Sequence, residues 1–228
     1  MRLTVSNIFT AVAASVNQSA TAPTAGGAEH NLWLEYINHA VREWSAAADW
    51  EDLRKNYYPS ITSLTQASVG LPQDFRELAA PPRHYGTGID GGEEWPIIVP
   101  EEIGLYNVET DKYIYVFGDI SNGFSLQWNP GTLASGASLS IPYFSYPTSL
   151  ASPAQVPVVS DSQYLIDRVT AFVWEGRSDP RFQQAEAKAR EKLLLMVEAN
   201  SMNKYSGHAG IVYTKNTLSK QGFRVGRD

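Results

Sequence analysis

The stretch WLEYINHAVREWSAAADWEDLRKNYYPSITSLTQASVGLPQDF, Trp33 to Phe75, changes its hydrophobic period once. From Ala28 to Ala48, the residues Leu32, Trp33, Tyr36, Ile37, Ala40, Val41, Trp44 and Ala48 recur at three- and four-residue steps, with Glu35, His39, Arg42 and Glu43 off that stripe. This is the pattern of an amphipathic helix with one broad apolar face. Asp49 interrupts it, WEDLRKNYY adds a turn or two, and Pro59 drives Tyr58 toward extended backbone because the proline ring clashes with a helical predecessor. From Ser60 to Leu71 no residue is charged, and Ile61, Leu64 and Val69 alternate weakly with Ser and Thr. That segment reads as one strand or an extended crossing. Gly70 turns the chain, and PQDFREL reads as a short helical turn cut off by Pro81 and Pro82.

On the N-terminal side, Ser6 is a plausible cap for a short helix carrying Ile8, Phe9, Val12 and Val16, and Ser19 to Gly27 is a loop. On the C-terminal side, Arg83 to Pro147 is rich in Gly and aromatic residues. GLYNVETDKYIYVFGD reads as two strands around a polar turn, with Tyr113, Tyr115 and Phe117 on one face and Ile114 and Val116 on the other. Asn122-Gly123 is a hairpin signal, and GASLSIPYF is a further strand. Helices then return: Ser160 or Asp161 caps a segment ended by Gly176, and Asp179 with Pro180 opens another whose seam is Phe182, Ala185, Ala189, Leu193 and Met196. The linking EGRSD predicts an antiparallel helical hairpin.

At 228 residues with 43% hydrophobic side chains, the chain can bury a substantial core. It has no cysteine, which removes disulfides, thiolate metal sites and cysteine nucleophiles together. Asn7 to Ala28 is small and apolar, but only Arg2 precedes it and Asn17, Gln18 and Thr21 dilute it, so it is not expected to be a cleaved signal. No stretch reaches the length of apolar sequence that spans a bilayer, and a soluble protein is expected. The formal charge of −6 is uneven: Ser201 to Asp228 carries Lys204, Lys215, Lys220, Arg224 and Arg227 against Asp228, which makes it +4 and the remainder −10. That basic segment lacks the dense Lys/Arg runs of a phosphate-binding arm, so an acidic protein partner suits it at least as well. It has too few large apolar side chains to offset the entropy of ordering itself, and its GIVYT is expected to add to a sheet or groove on another subunit or protein.

A search for chemistry returns little. His30 and His39 are nine residues apart, on opposite sides of one helix, and are expected to be solvent-exposed rather than joint metal ligands. His84 and His208 have no companions at ligand spacing. The acidic middle, Asp90, Glu93, Glu94, Glu101, Glu102, Glu109, Asp111 and Asp119, could supply paired carboxylates or a calcium site, but DGGEEW lacks the alternating oxygen ligands of an EF-hand loop. G-x-S-x-G and G-x-x-x-x-G-K-[ST] are absent. Trp95, Tyr113, Tyr115 and Trp128 could form a glycan-stacking platform, although strand periodicity assigns most aromatics to the core. No catalytic residue, cofactor or metal is expected.

The order of elements is more informative than any single motif. The quoted stretch resembles the N-terminal half of the head-to-tail adaptor (connector) proteins of tailed bacteriophages. In that family an amphipathic helix, here carrying Trp44, ends in a Trp-x-x-Leu turn, here Trp50 to Leu53; an extended segment then leads to Leu-Pro-x-Asp, here Leu71, Pro72 and Asp74. IPYFSYPTSL, a link holding Pro153 and Pro157, and SDSQYLIDRVTAFVWEGRSDPRFQQAEAKAREKLLLMVEAN resemble the second half: an aromatic-Pro strand end, a small helix, an Asp-containing break and a final helix. The resemblance covers roughly residues 1 to 82 and 140 to 200, and is weakest in the β-rich middle.

The resemblance implies an α+β fold: a helical bundle formed by residues 1–82 and 148–200, an inserted small antiparallel β domain at 83–147, and an extended C-terminal tail at 201–228. It implies a virion structural protein, made in the host cytoplasm and located at the head–tail interface. Copies of the chain would form a ring, commonly twelve-fold, beneath the portal, with genomic DNA passing through the centre without sequence-specific binding. The tail of such proteins docks onto the portal, which assigns Lys204, Tyr205, Ile211, Val212, Tyr213, Phe223 and Arg224 to that contact. The next tail or nozzle protein would meet the β domain, and no membrane is involved. Alternatives are another neck or tail ring component such as a stopper or nozzle, a glycan-binding module, or a metal-dependent hydrolase using His84 and the acidic middle.

Overall fold

The computed structural model describes residues 2–63, 65–85, 93–107, 111–129 and 137–206, with the backbone alone at 93 and 202–206. The fold is mixed α+β and divides into two compact units, one built from both ends of the chain (Met1–Asp52 and Ser149–Asp228) and one from its middle (Leu53–Thr148). The β-rich unit therefore begins at Leu53, well before the Arg83 boundary read from composition.

The first unit holds α1 (Val5–Asn17), α2 (Ala28–Ala47), α3 (Ser162–Gly176) and α4 (Phe182–Ser206). Thr4, rather than Ser6, caps α1: its hydroxyl accepts the Asn7 N–H at 3.3 Å. α1 buries Val5, Ile8, Phe9, Val12, Ala13 and Val16, so the small apolar N-terminal segment is a packed helix of the fold. α2 buries Trp33, Ile37, Ala40, Val41 and Trp44 of the stripe read from the sequence, whereas Leu32 is exposed, Tyr36 is partly buried and Ala48 is the C-cap beyond the helix. α3 packs against α1, α2 and α4 and is buried over most of its circumference. Its N-terminus is capped by Asp161, which accepts the Gln163 N–H at 2.9 Å.

Polar ties fix the two halves of this unit to each other. Asn38 exchanges both amide hydrogen bonds with the backbone of Leu150, at 2.9 and 2.7 Å. Arg168 grips Glu43 with two nitrogens at 2.7 Å each, while its guanidinium lies over the Phe172 ring. Tyr164 donates to the Ala40 carbonyl, and burial, followed by the nearby Glu43 charge, pushes its phenol well above the ordinary tyrosine range. At the α3–α4 turn Ser178 takes a left-handed φ of 55°, and Asp179 accepts the Arg181 N–H.

The described residues of the second unit form eight strands: β1 (Arg54–Tyr57), β2 (Ser68–Gly70), β3 (Phe75–Leu78), β4 (Arg83–Tyr85), β5 (Glu93–Glu94), β6 (Ile114–Asp119), β7 (Gly123–Trp128) and β8 (Ser138–Ser145). β8 is the spine of one antiparallel sheet, pairing with β1 along one edge and with β3 and then β4 along the other, with β5 beyond β4. The other antiparallel sheet has the order β2-β7-β6. The core holds Ile61, Trp95, Ile114, Leu126, Trp128, Leu139 and Ile141, with Val69, Leu71 and Val116 packed against it.

Several expectations change here. Phe75–Leu78 is a strand rather than a helical turn, because its backbone pairs with β8 beside a register shift. Gly104 and Leu105 belong to a 3-10 turn, Pro100–Leu105, rather than to a strand; Pro100 opens it with the fixed φ that suits a first helical position. Of the uncharged stretch, Ile61 is buried and Val69 packs on the core of this unit, while Leu64 lies outside the described residues. The Asn122-Gly123 hairpin forms as read, with Gly123 at φ 82°. At Gly118, φ 123°, a Cβ would stand 2.2 Å from the Gly123 carbonyl oxygen, so only glycine fits.

Candidate functional site

The motif residues singled out in the sequence occupy two joints. The first closes α2. Trp44 and Trp50 are both buried, their rings stack, and the Trp50 indole donates to the Trp44 carbonyl at 2.6 Å. A helix leaves its last four carbonyls without intrahelical partners, and Trp50 supplies a donor to one of them. Glu51–Leu53 then forms a single 3-10 turn, and Leu53 is buried at the start of the β unit, where its carbonyl accepts the Ser145 hydroxyl at 3.2 Å.

The second joint is Leu-Pro-x-Asp. Leu71 donates its N–H to the Phe124 carbonyl, and Pro72 accepts from the Phe75 N–H, closing a tight turn. Asp74 then ties three elements: its carboxylate accepts from Lys55 of β1 at 2.5 Å and from the Tyr143 hydroxyl of β8 at 3.1 Å, and its carbonyl accepts the Tyr146 N–H at 2.7 Å. Burial first, and then the hydrogen bond and charge of Asp74, push the Tyr143 phenol up to about 12. The described contacts of both joints run within the chain, and they give these motif residues a structural role.

The C-terminal segment fares differently. α4 continues to Ser206, so Ser201–Ser206 are helical where an extended tail was expected. Lys204 and Tyr205 lie on that helical backbone, whereas Ile211, Val212, Tyr213, Phe223 and Arg224 lie outside the described residues.

Among the described residues the candidate chemical groups do not gather, and His208 lies outside them. His30 is buried, with its ring edge-on to Phe9 at 5.4 Å, which corrects the expectation of an exposed histidine; the pattern missed it because α1 covers that side of α2. His39 is half-exposed and lies 3.5 Å from Glu43 one turn on. His84 is buried beside Trp95, with ring centroids 5.9 Å apart. In the acidic middle, Glu94 pairs with Arg83, and Glu101 and Glu102 stand exposed on a 3-10 turn. Asp119 accepts from Ser121 N–H, Asn122 N–H and the Asn122 amide, all at 2.7–2.8 Å, and those bonds hold its carboxyl below the usual range. Asp90 and Glu109 lie outside the described residues. Among the described residues, no three His, Asp or Glu side chains are placed to hold a metal ion.

Of the four aromatics that could have formed a glycan platform, Trp95, Tyr113 and Trp128 are buried, and Tyr115 spends its hydroxyl on Gln127 at 2.7 Å. A cleft of about 410 Å³ in the helical unit is lined by Trp50, Glu51, Asp52, Asp161, Met196 and Asn200. Its carboxylates are engaged, Asp52 by Arg2 and Asp161 by Lys192. Among the described residues no helix is long and apolar enough to cross a membrane.

No family model matches the chain, and no curated protein matches it.

Proposed function

We propose that the chain is a non-enzymatic virion structural protein, a ring-forming head-to-tail adaptor that links a phage portal to its tail. The observation that carries this reading is the role of the motif residues on which the resemblance rests. Trp44 and Trp50 lock the exit from α2, and Asp74 ties β1, β8 and the Leu-Pro turn together. Residues with those roles preserve a scaffold rather than a reaction. On this reading the four helices form the adaptor's bundle, the middle unit is its inserted β domain, and the segment beyond Asn200, which starts within the end of α4, is its portal-docking tail.

The charge distribution supports the same reading. A body of −10 repels a polyanionic genome moving past it, while a segment of +4 is suited to an acidic groove on a different protein. Lateral packing of the helical unit would close the ring, the C-terminal segment would enter the portal, and the β unit would face the next tail or nozzle protein. The contact is carried by Lys204, Tyr205, Ile211, Val212, Tyr213, Phe223 and Arg224. The test is pull-down of the cognate portal by the full chain and by a chain ending at Asn200. Binding lost on truncation is expected; undiminished binding by the shortened chain would refute the role given to the tail.

A further inference from the structure

Among the described residues, the β2-β7-β6 sheet leaves part of each outer edge unpaired, and its hydrogen bonds state which backbone groups those parts present. On β6, Ile114 turns outward: its N–H donates to the Pro96 carbonyl and its carbonyl accepts the Ile98 N–H, while Tyr115, Phe117 and Asp119 are the positions that exchange bonds with β7. Alternation then directs the N–H and C=O of Val116 and Gly118 to the same outer side, where no described residue pairs with them. On β2, Ala67 and Leu71 bond to β7, so the intervening Ser68 and Gly70 face away from it. The Ser68 carbonyl takes the Gln66 amide at 3.0 Å, which leaves the Ser68 N–H and both backbone groups of Gly70 on that edge.

Open edges are ordinarily guarded by Lys, Pro or an inward-pointing charge, because they template pairing with other chains. Neither edge here is guarded in that way. Ser60–Leu71 contains no charged residue, and Ile114–Trp128 contains only Asp119, whose carboxylate is occupied by its own turn. With no Lys or Arg on the hairpin, a phosphate backbone or an anionic membrane has nothing to bind there. Two large apolar side chains stand exposed at the turn end of the hairpin instead: Phe117 is 59% and Ile120 79% exposed.

We infer that the β6 edge of one copy pairs with the β2 edge of the next, so that the three-stranded sheet continues from subunit to subunit. The inference rests on the ring-forming reading and assigns part of its subunit contact. A second copy is the occupant because the two open edges lie on opposite sides of one sheet. Joining unlike edges is a head-to-tail contact, which propagates from copy to copy and forms a ring where the rotation between copies closes, whereas pairing β6 with β6 would stop at a dimer. It also gives the uncharged Ser60–Leu71 stretch a use, since a charge there would be desolvated at the joint.

The chain has no cysteine, so engineered pairs report cleanly. Phe117 and Ser68 project from the face opposite Val116 and Val69, which pack on the core. Full-length Ser68→Cys and Phe117→Cys chains, mixed with and without the cognate portal and oxidised with copper–phenanthroline, are expected to form a mixed disulfide dimer. The double variant is expected to give a ladder ending at the ring. Val116→Pro removes an outward N–H together with a side chain that packs on the core, so circular dichroism first confirms that it folds, and cross-linking is then expected to fall at least tenfold; Phe117→Lys, on the exposed face and away from the core, serves as the second interface variant. Rings visible by native mass spectrometry without the mixed disulfide, or undisturbed by both interface variants, overturn the edge pairing and leave the ring reading standing. Phe117→Cys linking only to itself overturns the head-to-tail order. A wild-type chain that stays monomeric even with portal overturns both.

Discussion

The indole N–H of Trp50 donates to the carbonyl oxygen of Trp44 at 2.6 Å, while the two rings stack with centroids 4.7 Å apart and planes 18° from parallel. One side chain thereby caps a carbonyl at the end of α2 and covers the ring that anchors that helix in the core. Replacing Trp50 by Phe keeps an aromatic surface and removes the donor, leaving the Trp44 carbonyl buried without it. The expected loss is about 1–3 kcal/mol, the cost of an unsatisfied buried acceptor, read from urea unfolding of the helical unit. An unchanged unfolding midpoint would contradict the capping role.

Asp74 and Tyr143 form a second measurable pair. The raised phenol pKa means that the folded state holds the proton more tightly than the unfolded chain. That contribution is complete below pH ~10, the ordinary tyrosine value, and is lost as pH rises through about 12. Asp74→Asn removes the carboxylate but leaves the burial, which is the larger cause, so the Tyr143 transition followed by ultraviolet absorbance should move only part of the way down toward 10. A transition unmoved by the substitution would remove Asp74 from the account of this joint.

The α3–α4 turn has an acid-range signature. The Arg181 side chain, and then its backbone N–H, hold the Asp179 carboxyl down to about 2. Its contribution is present above the unfolded value near pH ~4 and is lost as pH falls through about 2. Carboxyl NMR should place the Asp179 midpoint near 2 in the wild type, and Arg181→Ala should raise it toward the ordinary range. An ordinary midpoint in the wild type would show that the pair does not persist in solution.

Arg168 is mostly buried, forked onto Glu43, near Glu186 and stacked on Phe172. Arg168→Ala strands a carboxylate in a half-buried site and is expected to cost about 3 kcal/mol, the lower end of the range for breaking such a pair. The double change Arg168→Met with Glu43→Leu should cost less than that single change, as chemical denaturation of both variants will show. A double variant that is the less stable of the two would mean that the ion pair contributes net stability.

How much of this was legible in the sequence depends on the range over which each signal acts. The centre of the α2 stripe from Trp33 to Trp44, the Asp161 cap and the Asn122-Gly123 turn are local, with period, cap and turn chemistry all written within a few residues, and they appear where they were read, while Leu32 at the stripe's start is exposed. Phe75–Leu78 failed because its conformation is set by pairing with Ser145, Phe144 and Tyr143, far away in the chain. The boundary of the β unit was misplaced for the same reason: Arg54–Tyr57 resembles the end of a helix until β8 is present to pair with it. His30 looked exposed because nothing in α2 announces that Phe9 of α1 will cover it. Asp74 was visible as a motif letter, but its partners Lys55 and Tyr143 were not, since carboxylate ties across strands leave no spacing to read.

The central claim, a ring adaptor beneath a portal, is tested most directly by cryo-electron microscopy of the assembled particle with the chain located in the density. The account predicts a closed ring of this protein, coaxial with the portal and open along the DNA path, with residues beyond Asn200 in contact with the portal. Density showing the chain as a monomer, or placing it away from the neck, would contradict it.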